Sequence, residues 1–285
     1  MNRLVRPAIA LMNRLQYPQK FVLISFVFVM PLALVMFLLI SEINGEKDFA
    51  QAELDGVTYL RPLSQLFQDS LGERLLAARR QDGDTSVQGT LDQRRSQIDA
   101  ELKALDGIDA RLGAELGTTT LLQQVHADWQ GIRAGAATSA SGQTPDAQLI
   151  ADERALIAKV GDQSNLILDP VLDTYYLMYV SIVLLPETQD RLEQTTERGD
   201  HVTTSVLAAL DQRGQVESLL SLLAADSDAL NRDLGIAFDA DPSGQVKLHL
   251  QGSLSAFSGK VSDFLGATQR NIVDATSITP TSAYN

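Results

Sequence analysis

The chain has 285 residues, 45% hydrophobic and 21% charged, with a formal net charge of −13 and no cysteine. That composition allows a sizeable core in one or two domains, and it excludes a disulfide framework, a thiolate metal site and redox chemistry on thiols. The charge is uneven: residues 1–20 carry Arg3, Arg6, Arg14 and Lys20 and no acid, leaving 19 basic against 36 acidic side chains, a net −17, in the other 265. A surface that acidic repels a phosphate backbone, so nucleic-acid binding is excluded as well.

The first element is "FVLISFVFVMPLALVMFLLI", residues 21–40, apolar except for Ser25 and Pro31. At about 1.5 Å rise per residue, twenty residues span the roughly 30 Å hydrocarbon core of a bilayer. A secretory signal peptide has a shorter apolar region and a small-residue cleavage site, whereas "SEINGEKDF" follows here, so an uncleaved anchor is expected. The basic flank stays in the cytoplasm by the positive-inside rule. Three parts follow: a cytoplasmic basic N-terminus (1–20), a transmembrane helix (21–40) in a bacterial inner membrane, and a periplasmic domain (41–285).

Beyond the anchor, Leu54, Val57, Leu60, Leu63, Phe67, Leu71 and Leu75 recur three or four apart, which predicts a helix continuous with the span. "QDGDTSVQG" (81–89) ends it, and Ile98, Leu102 and Leu105 mark a second helix whose continuation is weakened by Gly107, Gly113 and Gly117. Leu121, Val125, Trp129 and Ile132 resume the period. "AGAATSASGQTPD" (134–146) is a polar loop. A helix is then expected from about Ala147 to Leu168, followed by a restart in which Asp169 is the N-cap and Pro170 the first helical residue. Val216, Leu219, Leu220 and Leu223 belong to the next helix, "DADPSGQ" (239–245) to a turn, and Leu250, Leu254, Phe257, Val261 and Phe264 to a last helix. No segment alternates with period two, so the fold class is all-α, an elongated antiparallel helical bundle after one transmembrane helix.

Signals for catalysis are weak. His126, His201 and His249 fit no metal-ligand spacing, and no P-loop, G-x-S-x-G or G-x-G-x-x-G occurs, so neither an enzyme, a metal site nor a cofactor is expected. "DADPSG" begins like a calcium loop, but the twelfth position is Leu250 instead of a bidentate glutamate, and a helix-connecting turn is the better reading. The ligand-binding candidates are Arg61, Asn165, Asp173, Tyr175 and Tyr176. In "YLRP", Arg61 offers a planar guanidinium that suits a carboxylate, or else a solvated or ion-paired surface position. Asp173 falls in the first turn of the restarted helix, where the helix dipole favours an acid. Tyr175 and Tyr176 point about 100° apart, so that one can pack inward while the other faces a cleft. The alternative is a capped helix whose tyrosines are core.

"RLQYPQKFVLISFVFVMPLALVMFLLISEIN", "YLRPL" and "SNLILDPVLDTYYLM" together resemble the N-terminal sensor region of bacterial transmembrane receptors, chiefly methyl-accepting chemotaxis proteins. Similar regions precede sensor histidine kinases and diguanylate cyclases. The resemblance covers most of the chain from about Arg14, although the family often has acids where this chain has Val171 and Tyr179. It implies a periplasmic bundle that binds a small molecule, a carboxylate among the candidates, and signals as a homodimer anchored in membrane lipid. It also implies a further helix, a return span, a HAMP linker and an output domain after "SITPTSAYN", so a fragment or truncated gene is expected. A membrane-anchored helical interaction protein without a signalling role is the rival.

Overall fold

A computed structural model describes residues 16–136, 139, 144–168, 170–204 and 209–274; the side chains of 201–204 and 209–212 lie outside this set. The chain divides into two units, Met1–Gln51 and Ala52–Asn285. Among the described residues there is helix and turn but no strand.

Helix α1 runs from Tyr17 to Gln81, so the apolar run and the helix after it are one element, as the unbroken period predicts. It is the one described helix long and apolar enough to cross a membrane, and its most apolar stretch is buried by nothing among the described residues. Phe21, Phe28 and Phe37 are each more than two-thirds exposed.

In the second unit, α2 (Gln88–Leu116), α3 (Thr119–Arg133) and α4 (Pro145–Gln163) join the later turns of α1 around one apolar cluster. Leu63, Leu66 and Phe67 of α1 meet Ile98 and Leu105 of α2, Val125 and Trp129 of α3, and Leu156 and Val160 of α4. Fully burying one such side chain stabilises the fold by about 1.5–3 kcal/mol. Gly56 permits close approach: a Cβ there would overlap the Ser164 side chain.

The glycines of α2 behave differently from expectation. Gly107 and Gly113 lie inside the helix, which ends only at Gly117, a left-handed C-cap with φ 61°. Gly113 is required by a side chain, since a Cβ there would collide with the Asp109 carboxylate. That carboxylate accepts from Tyr59 Oη at 3.0 Å and from Thr118 Oγ1 at 2.6 Å. Burial is the main reason the Tyr59 phenol is pushed far above its usual range, with the Thr118 bond acting against it. A glycine costs a helix about 0.5–1 kcal/mol, and here it admits a buried hydrogen-bonded bridge between α1 and α2.

The break after α4 also differs. The helix ends at Gln163 with Ser164 as C-cap, and Asn165 adopts φ 63°, the left-handed conformation that asparagine tolerates. A 3₁₀ turn at Leu166–Leu168 follows. Helix α5 (Leu172–Tyr179) starts two residues beyond Pro170, because Val171 is extended at φ −90° and ψ 126° and acts as the N-cap. Pro170 is thus not the first helical residue, and Asp169 lies outside the described residues.

Helix α5 passes through a π-helical turn, Val180–Leu184, into α6 (Leu185–Thr204). The turn divides its side chains between two cores. Ile182 packs in the first cluster, whereas Val180 and Leu184 pack with Leu230 of α7 (Ala209–Ala240). The "DADPSGQ" turn joins α7 to α8 (Gln245–Thr268); within it the Asp241 carboxylate accepts from Ser243 N and Val246 N, which caps the entry to α8. A second π turn, Gln269–Val273, places Ile272 against Val216 and Leu220.

Candidate functional site

The end of α1 is built for charge. Its sequence "GERLLAARR" carries Glu73, Arg74, Arg79 and Arg80, and basic residues in a last turn complement the helix dipole. Arg74 Nη1 meets Asp190 Oδ1 of α6 at 3.0 Å, and its Nε lies 3.7 Å from Glu197 Oε2. From α2, Arg95 donates through Nε to Glu73 Oε1 at 2.8 Å. Burial pushes the Glu73 carboxyl up, and the Arg95 bond opposes it.

Opposite these arginines the entry to α4 is locally specified. Thr144 is the N-cap, accepting from Ala147 N at 3.4 Å, Pro145 occupies the first turn, and Asp146 follows. Burial raises the Asp146 carboxyl, while Arg74 and Arg95 pull it down. Between these elements and α6 lies a cleft of about 830 Å³, lined by Arg74, Arg95, Asp146, Gln194, Glu197 and Arg198, with Ile132, Ala77 and Pro145 as apolar wall. That volume suits a small organic ligand.

Its three guanidiniums are not equivalent. Arg74 and Arg95 are paired with carboxylates, whereas among the described residues Arg198 donates to the neutral amide oxygen of Gln215 and to no carboxylate. A planar fork with no carboxylate partner among the described residues is suited to take one from a ligand. Asp146 and Glu197, on the same lining, can receive an ammonium or hydroxyl group from it.

None of the five residues singled out by sequence lines this cleft. Arg61 is exposed and joins none of the described ion pairs; its neighbour Tyr59 is the residue of "YLRP" that turns inward. Asn165 forms the left-handed turn after α4. Asp173 lies in the first turn of α5, as expected, where Oδ1 accepts from Thr174 N. Tyr175 and Tyr176 meet edge to face at 5.3 Å, and Tyr175 stacks on Tyr179 at 6.5 Å. No residue of α5 is buried, so neither tyrosine is core. The structure brings the two tyrosines together and leaves Arg61 apart from them in any described bond.

The signal for the cleft was present as three arginine-bearing stretches in a strongly acidic chain, "GERLLAARR", "DQRRSQ" and "TTERGD". No spacing rule joins them, since 103 positions separate Arg95 from Arg198. Compared with family models, with curated proteins and with solved structures, the chain matches none.

Proposed function

We propose that this chain is the extracytoplasmic small-ligand sensor module of a transmembrane, chemoreceptor-like signalling protein. The observation that carries the reading is the cleft of about 830 Å³ that gathers Arg74, Arg95 and Arg198 in a region whose net charge is strongly negative. In this reading residues 21–40 anchor the chain in the inner membrane, and the helices beyond form a periplasmic bundle that works as a homodimer. The ligand is a small organic acid, held by Arg198 and oriented by Asp146 and Glu197. Its binding selects between arrangements of α1 and α6, both of which line the cleft.

The test uses the full chain in detergent micelles, screened by thermal shift against organic acids, amino acids and amines, since a ligand that prefers the folded state raises the melting temperature. At least one acid is expected to do so. Arg198→Ala should then weaken that acid by roughly 1.5–3 kcal/mol, the range for hydrogen bonds to a charged group, while the unliganded melting temperature stays in place. Amines alone stabilising the chain, or undiminished affinity in Arg198→Ala, would remove the proposal. A periplasm-specific reporter fused after Asn285 should be active, and activity of a cytoplasm-specific one instead would reverse the orientation.

A further inference from the structure

Away from the cleft, the first apolar cluster is interrupted by a layer of carboxyl groups drawn from all four of its helices. Glu153 of α4 is fully buried. Its Oε1 accepts from Ser70 Oγ of α1 at 2.7 Å, and its Oε2 has no partner. Two acid pairs flank it. Glu101 of α2 faces Asp69 of α1, and Asp128 of α3 faces Asp152 of α4; Glu101 Oε2 and Asp128 Oδ2 are likewise buried and unpartnered. Both pairs' inner members act electrostatically on Glu153. Arg94 of α2 acts on Glu101 with the opposite sign, and it is engaged by Asp69.

An ionised carboxylate can only accept hydrogen bonds, so two facing carboxylates leave oxygens unsatisfied and like charges in contact. One proton on each pair turns an acceptor into a donor and closes the gap. A further proton on Glu153 removes a charge that burial disfavours. We infer that the layer formed by Asp69, Glu101, Asp128, Asp152 and Glu153 is a proton-binding site, which gives the folded chain a response to pH that is separate from the cleft. Its ligand is the proton itself.

The electrostatics agree with this geometry. Burial first, then the neighbouring acids, push Glu101 and Glu153 up to about 8 and Asp128 up to about 7, while Ser70 and Arg94 act the other way. Exposed carboxyls in the unfolded chain titrate near 4. The folded state therefore holds protons that the unfolded state releases. The stabilising contribution is complete below about pH 4 and is lost as pH rises through about 7 to 8. An acidic protein would ordinarily be expected to lose stability on the acid side, where salt-bridged carboxylates become protonated, so the sign of the response is diagnostic.

The experiment uses the full chain in detergent micelles. Infrared difference spectra between about pH 6 and pH 9 should show a protonated-carboxyl band that disappears on the alkaline side, and the melting temperature should fall across the same interval. In the triple variant Glu101→Gln, Asp128→Asn, Glu153→Gln, the amides imitate the protonated groups, and the fall should shrink to less than half. If that variant does not fold, Glu153→Gln alone should remove part of the infrared band, because its amide keeps the shape and the Ser70 contact. The imidazole of His126, which sits 2.8 Å from Asp106, is controlled by His126→Gln, which should leave the band unchanged. A wild-type melting temperature that is flat or rises with pH, or a band that survives Glu153→Gln intact, would overturn the inference.

Discussion

The helices that follow Tyr59 and those that follow Leu172 hold themselves together in different ways. The first set shares one continuous cluster from Tyr59 to Ile182, in which most members are fully buried. The second has two small clusters, one around Leu230 and one around Val216 and Ile272. Between α6 and α7 an ion pair adds to these thin clusters: Arg191 of α6 reaches Asp226 of α7, and also Glu187 on its own helix. Leu222, Leu248 and Leu250 stay exposed. Partly exposed ion pairs contribute little compared with a filled core, so the second set should open more readily.

The strongest way to break that comparison is to truncate one core residue on each side. Phe67→Ala should cost about 3–5 kcal/mol, because the site is enclosed by four helices and collapses poorly. Leu230→Ala should cost nearer 2 kcal/mol, at the low end for such truncations, since its cluster is thin and can relax. Denaturant unfolding followed by Trp129 fluorescence measures both. Equal losses would mean that the two sets unfold as one body.

A smaller effect sharpens the contrast. Arg191→Met removes the link between α6 and α7 and should lower stability by about 1–2 kcal/mol at low salt, with the loss shrinking toward zero near 1 M salt. Amide hydrogen exchange should show faster opening in α7 than in α2. The reverse order would show that the ion pairs outweigh the core.

How far the sequence announced this arrangement depends on the residue. Leu63, Phe67 and Leu71 are buried as their spacing predicts, but Leu54 and Val57, on the same predicted stripe, are exposed. In that turn the close contact is made by Gly56, against Ser164, a position that an apolar period does not mark. The inward face of α1 also contains Asp69, Ser70 and Glu73, each almost fully buried. Periodicity assigns polar residues outward, and only tertiary partners such as Arg94, Glu153 and Arg95 reverse that. The all-α class and the turn within 239–245 are legible because both are local. The cleft is not, because its arginines converge from α1, α2 and α6.

The π turn at Val180–Leu184 has a consequence for inheritance of register. Leu185 N bonds to Val180 O, five residues back, where an α-helix would reach four. One residue is therefore held in excess, and it sits where neighbouring side chains enter different cores. If the turn relaxed to α-helical bonding with no residue removed, every residue after it would swing by about 100° about the axis. Asp190, Arg191 and Glu197 would then leave Arg74 and Asp226 together, although none of them had been touched. Deleting the exposed Ser181 instead removes the surplus residue while Leu185 N keeps its bond to Val180 O, so the ion pairs of α6 should survive and the chain should melt close to the wild type. The position of a single surplus residue thus sets the phase in which α6 addresses both of its neighbours.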